Sequence, residues 1–355
     1  MIHFLASGFD TVECAYYLTP HSKSSLDFVM LMAERESLRQ AKIRKPRPVR
    51  LGSEEFLLAN HGTGSGYPFL LSNDWATVQC GEHNRPNFFV TYRSQALWHS
   101  GLEQLNQRFL AWADSVGMMQ SRPERVSRVD AAFDYCIDEI DFDEDNFVVA
   151  FEKDVQYRAN RKVQTFTFGA GGLVLRVYNK SDEIAESSDK TWFYPIWGGI
   201  EKNVWRIEWE VRKDILRRFG IRTLNDLFAS NGDVFWAYSQ ENSLRIKTSD
   251  SNRSRWPHHP LWLDLFERVR EMNNTGIIRE CDLDKLLDER LTYLSISVYG
   301  YLKRIAAIHG LQSEQYEVSK DQAMQRLGLL VDRLHDPFSW ENDVRRRMDE
   351  MRLGQ

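Results

Sequence analysis

The stretch VWRIEWEVR, residues 204–212, admits few structures. From Trp205 onward it alternates. Trp205, Ile207, Trp209 and Val211 fall in one phase, and Arg206, Glu208, Glu210 and Arg212 in the other. Successive side chains of a strand point to opposite faces of its sheet. A period of two sustained over this length fits a strand and no helix. A slip of one residue would bury the charges and expose the tryptophans, so the register is fixed. The pattern predicts a sheet with one apolar face and one charged face.

Two further segments carry charge in the same way. In VSRVDAAFDY, residues 126–135, Arg128, Asp130, Ala132 and Asp134 share a phase, while Val129, Ala131, Phe133 and Tyr135 take the other. In LVLRVYNK, residues 173–180, Val174, Arg176, Tyr178 and Lys180 fall together. If the three strands are neighbours, one face gathers carboxylates, cations and a tyrosine. The same pattern also describes an ordinary solvated sheet face, whose opposite charges pair across strands.

The chemical reading of that set is specific. A tyrosine hydroxyl, with a pKa of about 10, is a poor nucleophile at neutral pH. A divalent ion held by carboxylates can polarise a phosphodiester, and hard oxygen ligands suit Mg²⁺ or Mn²⁺. Arg or Lys offsets charge that grows on the phosphate. Attack by tyrosine leaves a covalent phosphotyrosyl link that conserves the bond for rejoining.

Bulk properties bound the answer without choosing it. The 355 residues suffice for one large domain or two ordinary ones. Hydrophobic residues at 42% and charged residues at 27% predict a soluble globular chain. A net charge of −5 argues against coating nucleic acid by bulk charge and leaves room for a local basic groove. Cys14, Cys80, Cys136 and Cys281 are scattered with no zinc-binding spacing, so reduced thiols in a cytoplasmic protein are expected. The N-terminal residues lack the pattern of a signal peptide, and no apolar run reaches membrane-spanning length.

Along the chain, TVECAYYL reads as a strand and residues 23–41 as a helix. RQAKIRKPRPVR reads as a basic linker or the start of a strand. FLLAN, ATVQC and NFFVTYR read as strands, and ALWHSGLEQLNQRFLAWADSVG as one amphipathic helix with Leu102, Leu105, Phe109 and Trp112 on its apolar side. FVVAFEKDV is expected to be helical. VQTFTFG, GLVLRVYNK and NVWRIEWEVRK are expected to be strands. After about residue 222 the apolar spacing turns helical. The predicted architecture is α+β: a mostly antiparallel sheet with helices packed on one face over residues 1–222, then a helical C-terminal region over 223–355 for DNA binding or oligomerisation.

SRVDAAFDY, FTFGAGGLVLRVYNK and WRIEWEVR, in that order and spacing, resemble the replication initiation factor family. That family contains rolling-circle plasmid replication initiators and related relaxases of conjugative elements. The resemblance covers roughly residues 5–215, and SNRSRWPHHPLW is also similar to such proteins. It implies nicking of one DNA strand at a replication or transfer origin through a 5′-phosphotyrosyl intermediate. It implies Tyr178 as nucleophile, Arg176 and Lys180 on the scissile phosphate, and Asp130, Glu208, Asp134 and Glu210 as carboxylates for Mg²⁺ or Mn²⁺. Where some members carry a carboxylate directly after the tyrosine, this chain has Asn179, with Asp182 and Glu183 as substitutes nearby. Tyr194 is the first fallback nucleophile, ahead of Tyr135 and Tyr157. The adjacent His258 and His259 do not form the alternating pair that other nicking enzymes use, and a surface or capping role is expected for them.

DNA contacts are expected from Arg44, Lys45, Arg47 and Arg50 in the first basic stretch, and from Arg253, Arg255 and Trp256, the last as a base-stacking platform. A single-stranded or hairpin origin with flanking duplex is the expected partner. A helicase or a second copy of the chain is a candidate for the helical region. Two other functions fit the sequence: a DNA-binding protein that keeps the fold without catalysis, and a palm-like polymerase, which also places paired carboxylates on an antiparallel sheet. No GxxxxGK[ST] loop is present, which argues against a P-loop ATPase.

Overall fold

The computed structural model describes residues 2–21, 26–151, 153–159, 162–272 and 283–352. The first residues of the helix expected at 23–41, Cys281, Asp282 and the tail beyond 352 lie outside these. The chain divides into two compact units, 1–278 and 279–355.

In chain order the first unit begins with the long strand β1 (Ile2–Pro20), α1 (Phe28–Gln40) and five short strands. These are β2 (Arg47–Leu51), β3 (Glu54–Leu58), β4 (Phe69–Ser72), β5 (Ala76–Cys80) and β6 (Phe88–Tyr92). Helices α2 (Ser94–Ser100) and α3 (Leu102–Ser115) lead into a second long strand, β7 (Met118–Ile137). Next come β8 (Phe147–Val148), β9 (Asp154–Ala159), β10 (Lys162–Ala170), β11 (Leu173–Asn179), α4 (Lys180–Glu183), α5 (Phe193–Ile196) and β12 (Val204–Arg212). The unit closes with α6 (Lys213–Arg218), α7 (Leu224–Glu241), β13 (Ser243–Leu244) and α8 (Pro260–Glu271).

Among the described residues, eleven strands form one sheet in the order β2-β3-β4-β5-β6-β1-β7-β12-β11-β10-β9. Every pairing is antiparallel. The two long strands lie side by side at the centre. Each begins a meander whose last strand returns to pair with it: β6 with β1, and β12 with β7. The strand phases predicted for β7, β11 and β12 are those observed, and the three are direct neighbours.

One sheet face is apolar and carries α3, α7 and α8. Tyr16 packs on Phe109 of α3 at 4.3 Å between ring centroids. Trp209 of β12 meets Trp262 of α8 and Tyr238 of α7. The boundary expected at residues 222/223 thus falls inside the first compact unit, because α7 and α8 bury their apolar sides on this sheet.

Two local expectations fail for identifiable reasons. The single helix expected over residues 96–117 is two, α2 and α3, broken at Gly101. That residue takes φ +78°, a left-handed conformation natural to glycine and foreign to a continuing helix. The helix expected at FVVAFEKDV is absent. Phe147 and Val148 instead form β8, paired with β13, and Asp154 already belongs to β9. Phe147 packs against Phe166 and Phe168 of β10, so tertiary burial overrides the local helical spacing.

In the second unit, α9 (Leu283–Ser313), α10 (Lys320–Leu334) and α11 (Pro337–Arg352) follow in sequence. A capping box of Ser319 and Gln322 starts α10. Among the described residues, no helix is long and apolar enough to cross a membrane.

Candidate active site

The register assembles the charged face strand by strand. Tyr178 lies opposite Arg206, Arg176 opposite Glu208, and Val174 opposite Glu210. On the other side of β12, Arg206 lies opposite Asp134, Glu210 opposite Asp130, and Arg212 opposite Arg128. The residues collected by alternation therefore do share one surface. They separate into two networks with different surroundings.

The first network is buried. Arg206 is fully enclosed and grips both oxygens of Asp134, with Nε–Oδ1 at 2.7 Å and Nη2–Oδ2 at 2.8 Å. Its remaining nitrogen, Nη1, donates to Asp10 at 2.7 Å. Trp197 Nε1 donates to Asp134, and Ser94 and Trp98 donate to Asp10. The guanidinium also lies 4.4 Å from the Phe193 ring centroid. Burial alone would raise the Asp10 carboxyl, but Arg206, Lys190 and Lys180 outweigh it and hold Asp10 well below the usual carboxylate range. Asp134 thus has both oxygens committed to protein donors. It anchors Arg206 and does not stand free as the metal ligand expected of it.

The second network borders solvent. Arg128 donates twice to Asp130, at 2.8 and 2.6 Å, and reaches Glu210 at 3.1 Å. Arg176 bridges Glu208 at 3.1 Å and Glu210 at 2.8 Å. Arg212 donates to Glu210 at 2.8 Å. The Tyr178 hydroxyl donates to Glu208 at 3.1 Å. Burial, with the Glu208 charge adding, raises the Tyr178 phenol well above its ordinary value. Burial also pushes Asp130 up to about 7 against its Arg128 hydrogen bond, with Glu208 and Glu210 adding to the rise.

Neighbours of Tyr178 are held by structure. Lys180 is buried, pairs with Glu183 at 2.6 Å, and places its ammonium over the Tyr178 and Phe193 rings. Burial, with Arg206 adding, lowers its pKa. It is placed to hold the tyrosine ring. Asn179 caps α4, accepting from the Asp182 backbone and the Ser181 hydroxyl. Of the fallback tyrosines, Tyr135 lies on the apolar face. Tyr194 is in α5 against Trp197. Tyr157 is exposed on β9, opposite Thr165, the same residue that faces Tyr178 from the other side.

The donor set does not fit a preformed ion site. Among the described residues, no three His, Cys, Asp or Glu side chains converge closely enough to hold a metal. Asp130, Glu208 and Glu210 are each engaged by a guanidinium instead.

The expected DNA-binding residues are dispersed. Arg44 and Lys45 are exposed just before β2, and Arg47 and Arg50 lie on β2, the edge strand at the far end of the sheet order from β9. Arg47 pairs with Glu34. Arg253 pairs with Asp145, and Arg255 lies 3.8 Å from Asp250. Trp256 is buried, with its indole nitrogen donating to the Asp250 carbonyl, so it has no free face for a base. His259 caps α8 through Nδ1 and meets Asp141 through Nε2, a capping role as expected.

Sequence reasoning missed Asp10 and the aromatic cover of Trp98, Phe193 and Trp197. Asp10 is in phase with Val12, Cys14 and Tyr16, so alternation assigns it to the apolar face. A β-bulge between Phe9 and Thr11 turns it to the charged face. A lone acid in an otherwise apolar phase was the available signal.

No protein-family model matches the chain, and no curated protein matches it. Among solved structures it is similar to a rolling circle replication initiator protein from Geobacillus stearothermophilus, at 16% identity and a TM-score of 0.43, over 76% of this chain and 97% of that one.

Proposed function

We propose that this chain nicks and rejoins one strand of DNA through a covalent link on Tyr178, at a replication or transfer origin. The observation that carries the reading is the Tyr178–Glu208 contact at 3.1 Å beside the Arg176 guanidinium. A phenol that burial keeps protonated needs a base within reach. Glu208 fills that role, and Arg176 faces the position where phosphate charge grows.

The step balances simply. The Tyr178 oxygen forms a bond to phosphorus as its proton passes to Glu208. The bond from phosphorus to the 3′ oxygen breaks. That oxygen takes up a proton from water and leaves as a 3′ hydroxyl, while the 5′ phosphate stays on the tyrosine. The reverse reaction rejoins the strand. Arg128 and Arg212 hold Asp130 and Glu210, so the carboxylate row keeps its shape while Glu208 exchanges its proton.

The ordered strands SRVDAAFDY, RVYNK and WRIEWEVR, which resemble replication initiation factors, support an origin as the target. A second reading, a DNA-binding protein without the chemistry, draws support from Asn179, which is spent on capping α4. Supercoiled plasmid carrying the DNA around this protein's own coding sequence separates the two. The proposed enzyme converts it to open circles in Mg²⁺ or Mn²⁺, and Glu208→Gln slows that conversion. Binding without any open circles favours the second reading.

A further inference from the structure

Arg122, Arg125 and Arg128 recur at every third residue of β7. On a regular strand such spacing sends alternate side chains to opposite faces. Here they do not alternate. Arg128 pairs with Glu13, Arg125 with Ala15 and Arg122 with Tyr17, three partners two residues apart on β1. Extra residues on β7, Ser127 and one more between Arg122 and Arg125, are absorbed as bulges. All three arginines are thereby turned to the charged face that holds Asp130 and Tyr178. Their spacing along β1 is one pleat repeat, about 6.7 Å, close to the interval between successive phosphates of an extended nucleic-acid strand.

The row has the chemistry of a backbone track. Arg122 and Arg125 are exposed and, among the described residues, neither is paired with a carboxylate. Arg122 stacks on the Tyr17 ring at 3.4 Å. Tyr17 is thus an aromatic surface whose present cover is a guanidinium that phosphate can attract away. Arg128 joins the row to the carboxylates of the candidate site. From the level of Tyr178 to Arg122 is five pleat repeats, roughly 30 Å, enough for about five nucleotides. A chain with net charge −5 has concentrated cations on this line.

We infer that single-stranded DNA enters the site along Arg122, Arg125 and Arg128, with a base stacking on Tyr17. The inference rests on the nicking reading above and names the path of its substrate. A single file of cations one strand wide suits a single backbone, and an aromatic platform suits an unpaired base.

The test is salt-dependent binding of a fluorescein-labelled dT20 oligonucleotide, read by anisotropy between 50 and 300 mM NaCl. The protein carries Tyr178→Phe, so that no chemistry intervenes. Each phosphate contact on single-stranded DNA contributes about 0.7 to the slope of log K against log salt. Arg122→Gln with Arg125→Gln flattens the slope by about 1.4 and weakens binding tenfold or more at 50 mM. Arg122→Lys with Arg125→Lys restores the slope, which separates charge from packing on Tyr17. Tyr17→Leu weakens binding and leaves the slope in place. An unchanged slope in the glutamine pair, or no binding of the oligonucleotide at all, overturns the inference. Nicking by the Tyr178 protein is scored separately. Cleavage with an unaltered slope sinks the path alone, and an altered slope without cleavage sinks the reaction alone.

Discussion

The Tyr178 hydroxyl donates to the Glu208 carboxylate across 3.1 Å, from adjacent strands of one sheet. The contact gives a high-pKa phenol an acceptor on a rigid scaffold. Glu208 is itself steadied by Arg176, which also holds Glu210. The pair is therefore part of a lattice of charges that strand register fixes.

Glu208→Gln keeps the shape and removes the base. The expected outcome is a nicking rate lower by roughly 10²-fold or more, within the range for positioned general bases, with oligonucleotide affinity within a few-fold of wild type. Single-turnover cleavage on a denaturing gel checks it. A rate within threefold of wild type removes Glu208 from the reaction.

The buried Asp10–Arg206 pair sets an acid limit on stability. Asp10 titrates lower in the folded chain than unfolded, so its ionisation stabilises the fold above the ordinary carboxylate range and ceases to do so in acid. Asp10→Asn lowers stability by about 3 kcal/mol at pH 7. That deficit stays level from pH 5 to 8 and shrinks as pH falls below about 4. Urea unfolding of both proteins across pH 3 to 8 reads it directly. A deficit that grows in acid contradicts the assignment.

Arg128, Arg176 and Arg212 each engage a carboxylate of the site. Mn²⁺ binding followed by titration calorimetry is expected to be weak in wild type. Arg176→Gln releases Glu208 and Glu210 together and strengthens it severalfold. Tight binding by wild type, undiminished by Glu210→Gln, contradicts the arrangement described.

Trp256 serves the fold. It is buried with a hydrogen-bonded indole, so Trp256→Ala costs about 3 kcal/mol or more of stability. The affinity of the protein that remains folded for single-stranded DNA is unchanged. A selective loss of affinity at full stability returns Trp256 to the interface.

The site was legible where period-two alternation runs unbroken. VWRIEWEVR declared both faces of β12, and Arg176 and Tyr178 fell into phase with it. Burial was not legible. Asp134 and Arg206 look like surface charges in sequence, yet Trp98, Phe193 and Trp197 cover them from elements far apart in the chain. Bulges were equally hidden. They move Asp10, Arg122 and Arg125 to the charged face because pairing between β1 and β7 absorbs extra residues, a property of two strands together. The break at Gly101 had a visible cause, a glycine within a helical pattern, while the loss of the helix at Phe147 depended on partners in β10 and β13.

The central claim is that Tyr178 forms a covalent bond with DNA. The most direct measurement incubates the protein with single-stranded oligonucleotides tiled across the DNA around its own coding sequence, in Mn²⁺, and maps any adduct by mass spectrometry. The account predicts a 5′-phosphate on Tyr178 in wild type and no adduct in Tyr178→Phe. An adduct that survives this substitution, on Tyr157, Tyr194 or elsewhere, contradicts it.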